Sequence, residues 1–223
     1  MPGPGWPNAP RRDTAAGVQH ASSRPGQNVQ VHIQPADPAE PEIRTLRSRV
    51  LYADEWIRLR KDDIERRDGS HGTYAVVERD DSVVIIPSDN GGFHLVEEYR
   101  YPVGQRNWSF PQGGFPRGET GTPEELARLE LAQEAGLHAS RLTHLGRLTA
   151  AHGMTSQRCD HFLATGLTRC PTDPEPEEIG IKEAWFSRSE FEEMTRDGRV
   201  TDDSTVAAYT LLLLHERGVG RGH

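Results

Sequence analysis

Gly113-Gly114-Phe115-Pro116-Arg117-Gly118-Glu119, then Thr122-Pro123-Glu124-Glu125 and a run to Gly136-Leu137, is the stretch on which the fold turns. Thr122 is a cap candidate, Pro123 suits the first helical position, and Glu125 stands three residues after the cap. Leu126, Leu129, Ala132 or Gln133, and Leu137 follow at helical spacing, with Gly136 as the stop. The spacing predicts a glycine turn opening into a helix from about 123 to 135, with Leu129 on its apolar side.

Upstream of the helix the period is that of strands. Val50 to Leu59 reads as strands broken near Asp54, and Asp68-Gly69 marks a turn. Thr73–Val77, Ser82–Ile86 and Phe93–Tyr99 follow, with Asp89-Asn90-Gly91-Gly92 as a tight turn between the last two. Downstream, strands are expected at Leu142–Leu148, His161–Thr165 and Ile179–Phe186. Two helices close the chain, at Arg188–Arg196 and Asp203–Glu216, and Cys170 to Glu178 is a proline- and acid-rich loop. Strands, one helix, more strands and terminal helices describe an α+β protein rather than a regular βαβ repeat.

The chain has 223 residues and a net charge of −8. Residues 1–41 are proline-rich with few large apolar side chains and read as a disordered tail, in which the alternating run Val29–Ile33 is also a candidate edge strand. Residues 42–223 are then one domain. No stretch reaches the roughly 18 apolar residues needed to cross a bilayer, and no signal peptide is indicated. A cytoplasmic protein with no membrane partner is expected, with Cys159 and Cys170 as free thiols. The acidity argues against a broad nucleic-acid surface, whose affinity comes from Lys and Arg neutralising phosphates. A small phosphate pocket with a metal ion between protein and anion stays open.

Glu130 and Glu134 are four apart and share a helix face. Such a pair also suits a solvated helix surface. Here Glu119 precedes it, Gly113 and Gly114 let backbone approach a ligand, and the flanking residues are apolar. Carboxylates gathered there repel unless a cation neutralises them. Mg²⁺ or Mn²⁺ fits oxygen ligands and a diphosphate, which makes Glu119, Glu130 and Glu134 the candidate metal ligands.

These residues resemble the signature of the Nudix hydrolases: a glycine, five residues, a glutamate, seven residues, then Arg-Glu, an aliphatic, any residue, Glu-Glu, any residue and Gly-aliphatic. Gly113 and Glu119 match its opening, and Glu130, Leu131, Glu134, Gly136 and Leu137 its close. Two residues are inserted near Thr120-Gly121, Leu129 stands at the family arginine, and Gln133 replaces the first glutamate of the late pair. The resemblance implies an α/β/α sandwich with a mixed sheet. Tyr74–Glu78, Glu98–Gly104, Phe162–Thr165 and Gly198–Asp202 are similar to the branch cleaving ADP-ribose and related nucleotide sugars. That likeness implies metal-dependent hydrolysis to a nucleoside monophosphate and a sugar phosphate, by a homodimer that exchanges N-terminal β elements. It also implies that Glu130 and Glu134 serve catalysis, with Glu178 (rivals Glu177 and Glu175) acting on the attacking water. Arg100 would meet the diphosphate or terminal ribose, and Trp56 the nucleobase, with Gly113 and Gly114 beside the substrate. Trp108 to Gln112 instead looks like enzymes acting on dinucleoside polyphosphates. Leu129 and Gln133 would suit a weak or purely binding relative.

Overall fold

The computed structural model describes residues 41–115, 120–171 and 180–219. Glu119, Glu175, Glu177 and Glu178 lie outside the described residues, as do residues 1–40. Three strands come first: β1 (Ile43–Ala53), β2 (Arg58–Arg66) and β3 (His71–Glu78) form an antiparallel sheet of their own. The break at Asp54 is an Asx turn. Its carboxylate accepts from the N–H groups of Trp56 and Ile57, at 2.8 and 2.7 Å. Those bonds, with Ile57 the stronger, hold the Asp54 carboxyl below its usual range.

The second sheet holds β4 (Ser82–Asp89), β5 (Gly92–Arg100), β6 (Gln105–Ser109), β7 (Gln112–Gly114), β8 (Leu137–Thr149), β9 (Arg158–Arg169) and β10 (Lys182–Ser187). Its order is β10-β5-β4-β9-β8, with β6 against β5 and β7 against β4. Only β4 and β9 pair in parallel among these strands, so the sheet is mixed. The sheets meet where the Val77 N–H bonds the Met154 carbonyl at 2.8 Å, beside a parallel bridge from Val77 to Thr155.

Alternation along the central strands separates two cores. Val83, Ile85, Phe162 and Ala164 point toward α1 (Pro123–Ala135) and pack on Leu126, Ala127 and Leu131. Val84, Ile86, Phe93 and Leu95 point the other way, toward α2 (Arg188–Arg196) and α3 (Asp203–Val219), and meet Phe191, Met194, Ala208 and Leu212. This is an α/β/α sandwich with a mixed sheet. Among the described residues no helix is long and apolar enough to cross a membrane.

The start and stop of α1 follow the sequence reading. Thr122 and Glu125 form a reciprocal capping box, and Gly136 ends the helix at φ +60°, a conformation costly to any residue with a Cβ. Leu129 departs from it, being 46% exposed. The helix buries two stripes, an apolar one through Leu126, Ala127, Leu131 and Ala135 and a carboxylate one through Glu130 and Glu134. Leu129 falls on neither. The predicted glycine turn is also corrected, because Gly113 and Gly114 are strand residues paired with Val83 and Ser82. The strand expected from Leu142 begins at Leu137, directly after the helix stop. Cys159 and Cys170 are free thiols.

Candidate active site

Strand β7 lies over the carboxylate stripe of α1. Glu130 is 7% exposed and Glu134 3%. The Gln112 N–H donates to Glu134 Oε2 at 3.0 Å. A Cβ added to Gly113 would stand 2.1 Å from Glu130 Oε1, so any larger residue there would push the Glu130 carboxylate from its present place. Val83 brings β7 into place by pairing with Gly113 on one side and Asp160 on the other.

Gly113 and Gly114 also border a cavity of about 760 Å³ between β6, β7, the start of α3 and the turn around Ala151 to Thr155. Trp56 and Arg100 line the same cavity. Trp56 is carried there by the Asp54 turn, itself fastened by Tyr52 Oη to Asp54 Oδ2 at 2.9 Å. Arg100 leaves the end of β5 and ion-pairs with Glu98, a buried carboxylate. Four residues singled out from the sequence, Trp56, Arg100, Gly113 and Gly114, therefore share one space. Glu130 and Glu134 lie directly behind its glycine wall.

The donor set on α1 is oxygen only, which suits a hard divalent cation rather than a softer metal. Two buried carboxylates one turn apart, cradled against a glycine that a Cβ would displace, fit Mg²⁺ or Mn²⁺. Among the described residues no group of three or more His, Cys, Asp or Glu side chains gathers as a metal site. A third ligand such as Glu119 would come from outside them.

Other polar groups escaped the sequence reading. Glu98 sits on the α1 side of β5, two residues from the core residue Val96, and the strand's alternation is the signal that would have found it. On the same face Asp160 accepts from His144 Nε2 at 2.7 Å and from Arg147 Nε at 2.8 Å. Burial pushes the Asp160 carboxyl up, but Arg147 and His144 together hold it below the usual range. His161, the next residue, is almost fully buried.

A helix bearing paired carboxylates beneath a glycine strand, beside a cavity lined by an arginine and a tryptophan, belongs to the class of phosphoric-anhydride hydrolases with an α/β/α sandwich. Known proteins agree. The NUDIX domain profile matches residues 78–208, and that of the nucleoside diphosphate sugar hydrolase N-terminal domain matches residues 43–77. An ADP-ribose pyrophosphatase of Mycobacterium tuberculosis is 30% identical over 172 residues, which are 76% of this chain and 82% of that protein. An RNA pyrophosphohydrolase of Shewanella sediminis is 41% identical over 83 residues, 37% of this chain and 42% of its own length. A crystal structure of an ADP compounds hydrolase superposes with a TM-score of 0.70 at 21% identity, covering 83% of this chain and all of the other. The chain belongs to the Nudix hydrolase family, and it is a pyrophosphatase of that family.

Proposed function

We propose that the protein hydrolyses the diphosphate of ADP-ribose or a related nucleotide sugar, with Mg²⁺ or Mn²⁺ as cofactor. The observation that carries this reading is the single cavity joining Trp56, Arg100 and the Gly113-Gly114 wall in front of Glu130 and Glu134. The likeness of residues 43–77 to a nucleoside diphosphate sugar hydrolase element supports it.

Water attacks one phosphorus, the bridging P–O bond breaks, and a nucleoside monophosphate and a sugar phosphate leave. Glu130 and Glu134, with Glu119 beside them in sequence, are the proposed cation ligands. When bound, the cation supplies positive charge against the non-bridging oxygens. Arg100 adds a guanidinium where negative charge accumulates, and Gly113 and Gly114 keep the wall thin enough for the diphosphate to approach the carboxylates. Trp56 offers an aromatic face to the base. Glu178 is proposed to orient or deprotonate the water.

We propose a homodimer as well. Strand β1 is exposed along its whole length although it carries Ile43, Leu46, Val50, Leu51 and Tyr52, and a second copy would cover that apolar edge. A cytoplasmic location is part of the same reading.

Purified protein assayed with ADP-ribose, other nucleotide sugars and dinucleoside polyphosphates, each with Mg²⁺ or Mn²⁺, tests the substrate class through its products. Cleavage confined to nucleotide sugars is expected. Cleavage confined to dinucleoside polyphosphates would replace the reading with the alternative drawn from Trp108–Gln112. Binding without turnover throughout would make the protein a binding relative, a reading favoured by the exposed Leu129 at the family arginine.

A further inference from the structure

We infer that Asn107 is a substrate-binding residue whose side-chain NH₂ donates to a diphosphate oxygen in the cavity, an assignment that rests on the function proposed above. Asn107 lies on β6 opposite Glu98, is 9% exposed, and lines the cavity together with Arg100. Its Oδ1 accepts two hydrogen bonds, from Thr201 Oγ1 at 3.0 Å and from Gln105 Nε2 at 3.2 Å. An amide oxygen has two lone pairs, and both are used. The side chain is planar, so fixing the oxygen turns the NH₂ away from both partners. No described group accepts from that NH₂. This NH₂ is left open on the cavity wall, where it can donate to an acceptor on a ligand.

Its neighbours narrow the choice of acceptor. Arg100 pairs with Gln105 in the hairpin and Asn107 with Glu98, so the guanidinium and the Asn107 amide stand two rungs apart on one face of the same ladder. Arginine has no acceptor at all, and Asn107 has spent its own. Asp80, Asp202 and Asp203 also line the cavity, but the Arg100 guanidinium and the Asn107 NH₂ can only donate and suit a ligand rich in acceptors. The non-bridging oxygens of a diphosphate are acceptors and carry the charge that Arg100 complements. Asp202, at the cavity rim, is already engaged, since its Oδ2 caps α3 by accepting from the Thr205 N–H at 2.7 Å.

Asn107→Asp separates this role from a structural one. The carboxylate keeps an oxygen for Thr201 and Gln105 but replaces the NH₂ with a second acceptor. A merely structural Asn107 predicts unchanged ADP affinity in the folded variant. A diphosphate donor predicts that ADP binding to the metal-free protein, measured by titration calorimetry, weakens at least about tenfold. Asn107→Ala, which loses the donor without adding charge, weakens it about three- to tenfold and serves if the Asp variant fails to fold. ADP affinity within twofold of wild type in either folded variant overturns the inference. A wild-type protein that binds no ADP overturns this assignment, and cleavage of ADP-ribose with Mg²⁺ by the same protein would leave the proposed function standing. Binding that weakens in the variants, with no cleavage of ADP-ribose by wild type, leaves the assignment standing and removes only the activity.

Discussion

The two faces of the seven-stranded sheet are built from different chemistry. Toward α2 and α3 the filling is aromatic: Phe93 meets Phe110, Phe191 and Tyr209 edge-on, with centroids 5.6 to 5.9 Å apart, and Phe110 stacks on Phe191 at 5.2 Å. Toward α1 the apolar residues are smaller, and Glu98, Glu130, Glu134 and Asp160 are buried among them. Burying charge is costly unless it is paired, and here Arg100 pairs with Glu98 while Arg147 and His144 hold Asp160. Strand β9 shows the division within two residues. Asp160 turns to the α1 side and the adjacent His161 to the other.

Substitutions on the two faces should therefore fail differently. Glu134→Gln removes a carboxylate charge from α1 and should lower turnover about 10²–10³-fold with little change in melting temperature; a variant of undiminished activity would take the chemistry off this face. Phe191→Ala opens the aromatic core and should cost about 3–5 kcal/mol, read from urea unfolding, while the folded fraction keeps its KM. Loss of substrate affinity in that variant would mean that the faces are coupled. Gly113→Ala puts a methyl where the Glu130 carboxylate now lies, and displacing that carboxylate by about 1 Å corresponds to a rate loss of about 10²-fold. Steady-state kinetics beside a thermal melt would show whether the wall or the fold has been damaged.

The smallest effect is one of pH and sharpens the comparison at β9. Burial lowers the His161 pKa; neither ring nitrogen makes a hydrogen bond of good geometry, and the nearby backbone of Gly146 and Cys159 offsets only part of the cost. The unfolded chain therefore takes up this proton first. Stability is complete above the ordinary histidine value of about 6.5 and declines below it by at most about 1.4 kcal/mol per pH unit. The Asp160 contribution has the other origin. It is present above the ordinary carboxylate value and is lost as pH falls through the depressed one. His161→Leu should flatten the decline that begins near pH 6.5 and leave the more acidic one, as followed by urea midpoints across pH 3–8.

What the sequence made legible was local. The Thr122, Pro123 and Glu125 start of α1 and its Gly136 stop are encoded within one stretch, as is the turn at Asp89 to Gly92. Leu129 was misplaced because a single apolar stripe was assumed, whereas α1 buries carboxylates on a second stripe. Gly113 and Gly114 look like a turn until Val83, thirty residues upstream, is seen beside them. Arg100 and Trp56 could be named through family likeness, but Asn107 needed the β5–β6 register, which no local pattern supplies.

The parallel pairing of β4 with β9 sets a schedule for the nascent chain. The Arg158 N–H bonds Asp81 from 77 residues further along the sequence. Contacts of such separation form late, since a long loop must close before they reward it. At about 5–20 residues per second on the ribosome, β4 waits roughly 4–15 s for its neighbour. During that interval Val83 to Ile86 are an apolar strand with one open edge, and whatever shields them then governs how much of the protein reaches its native state.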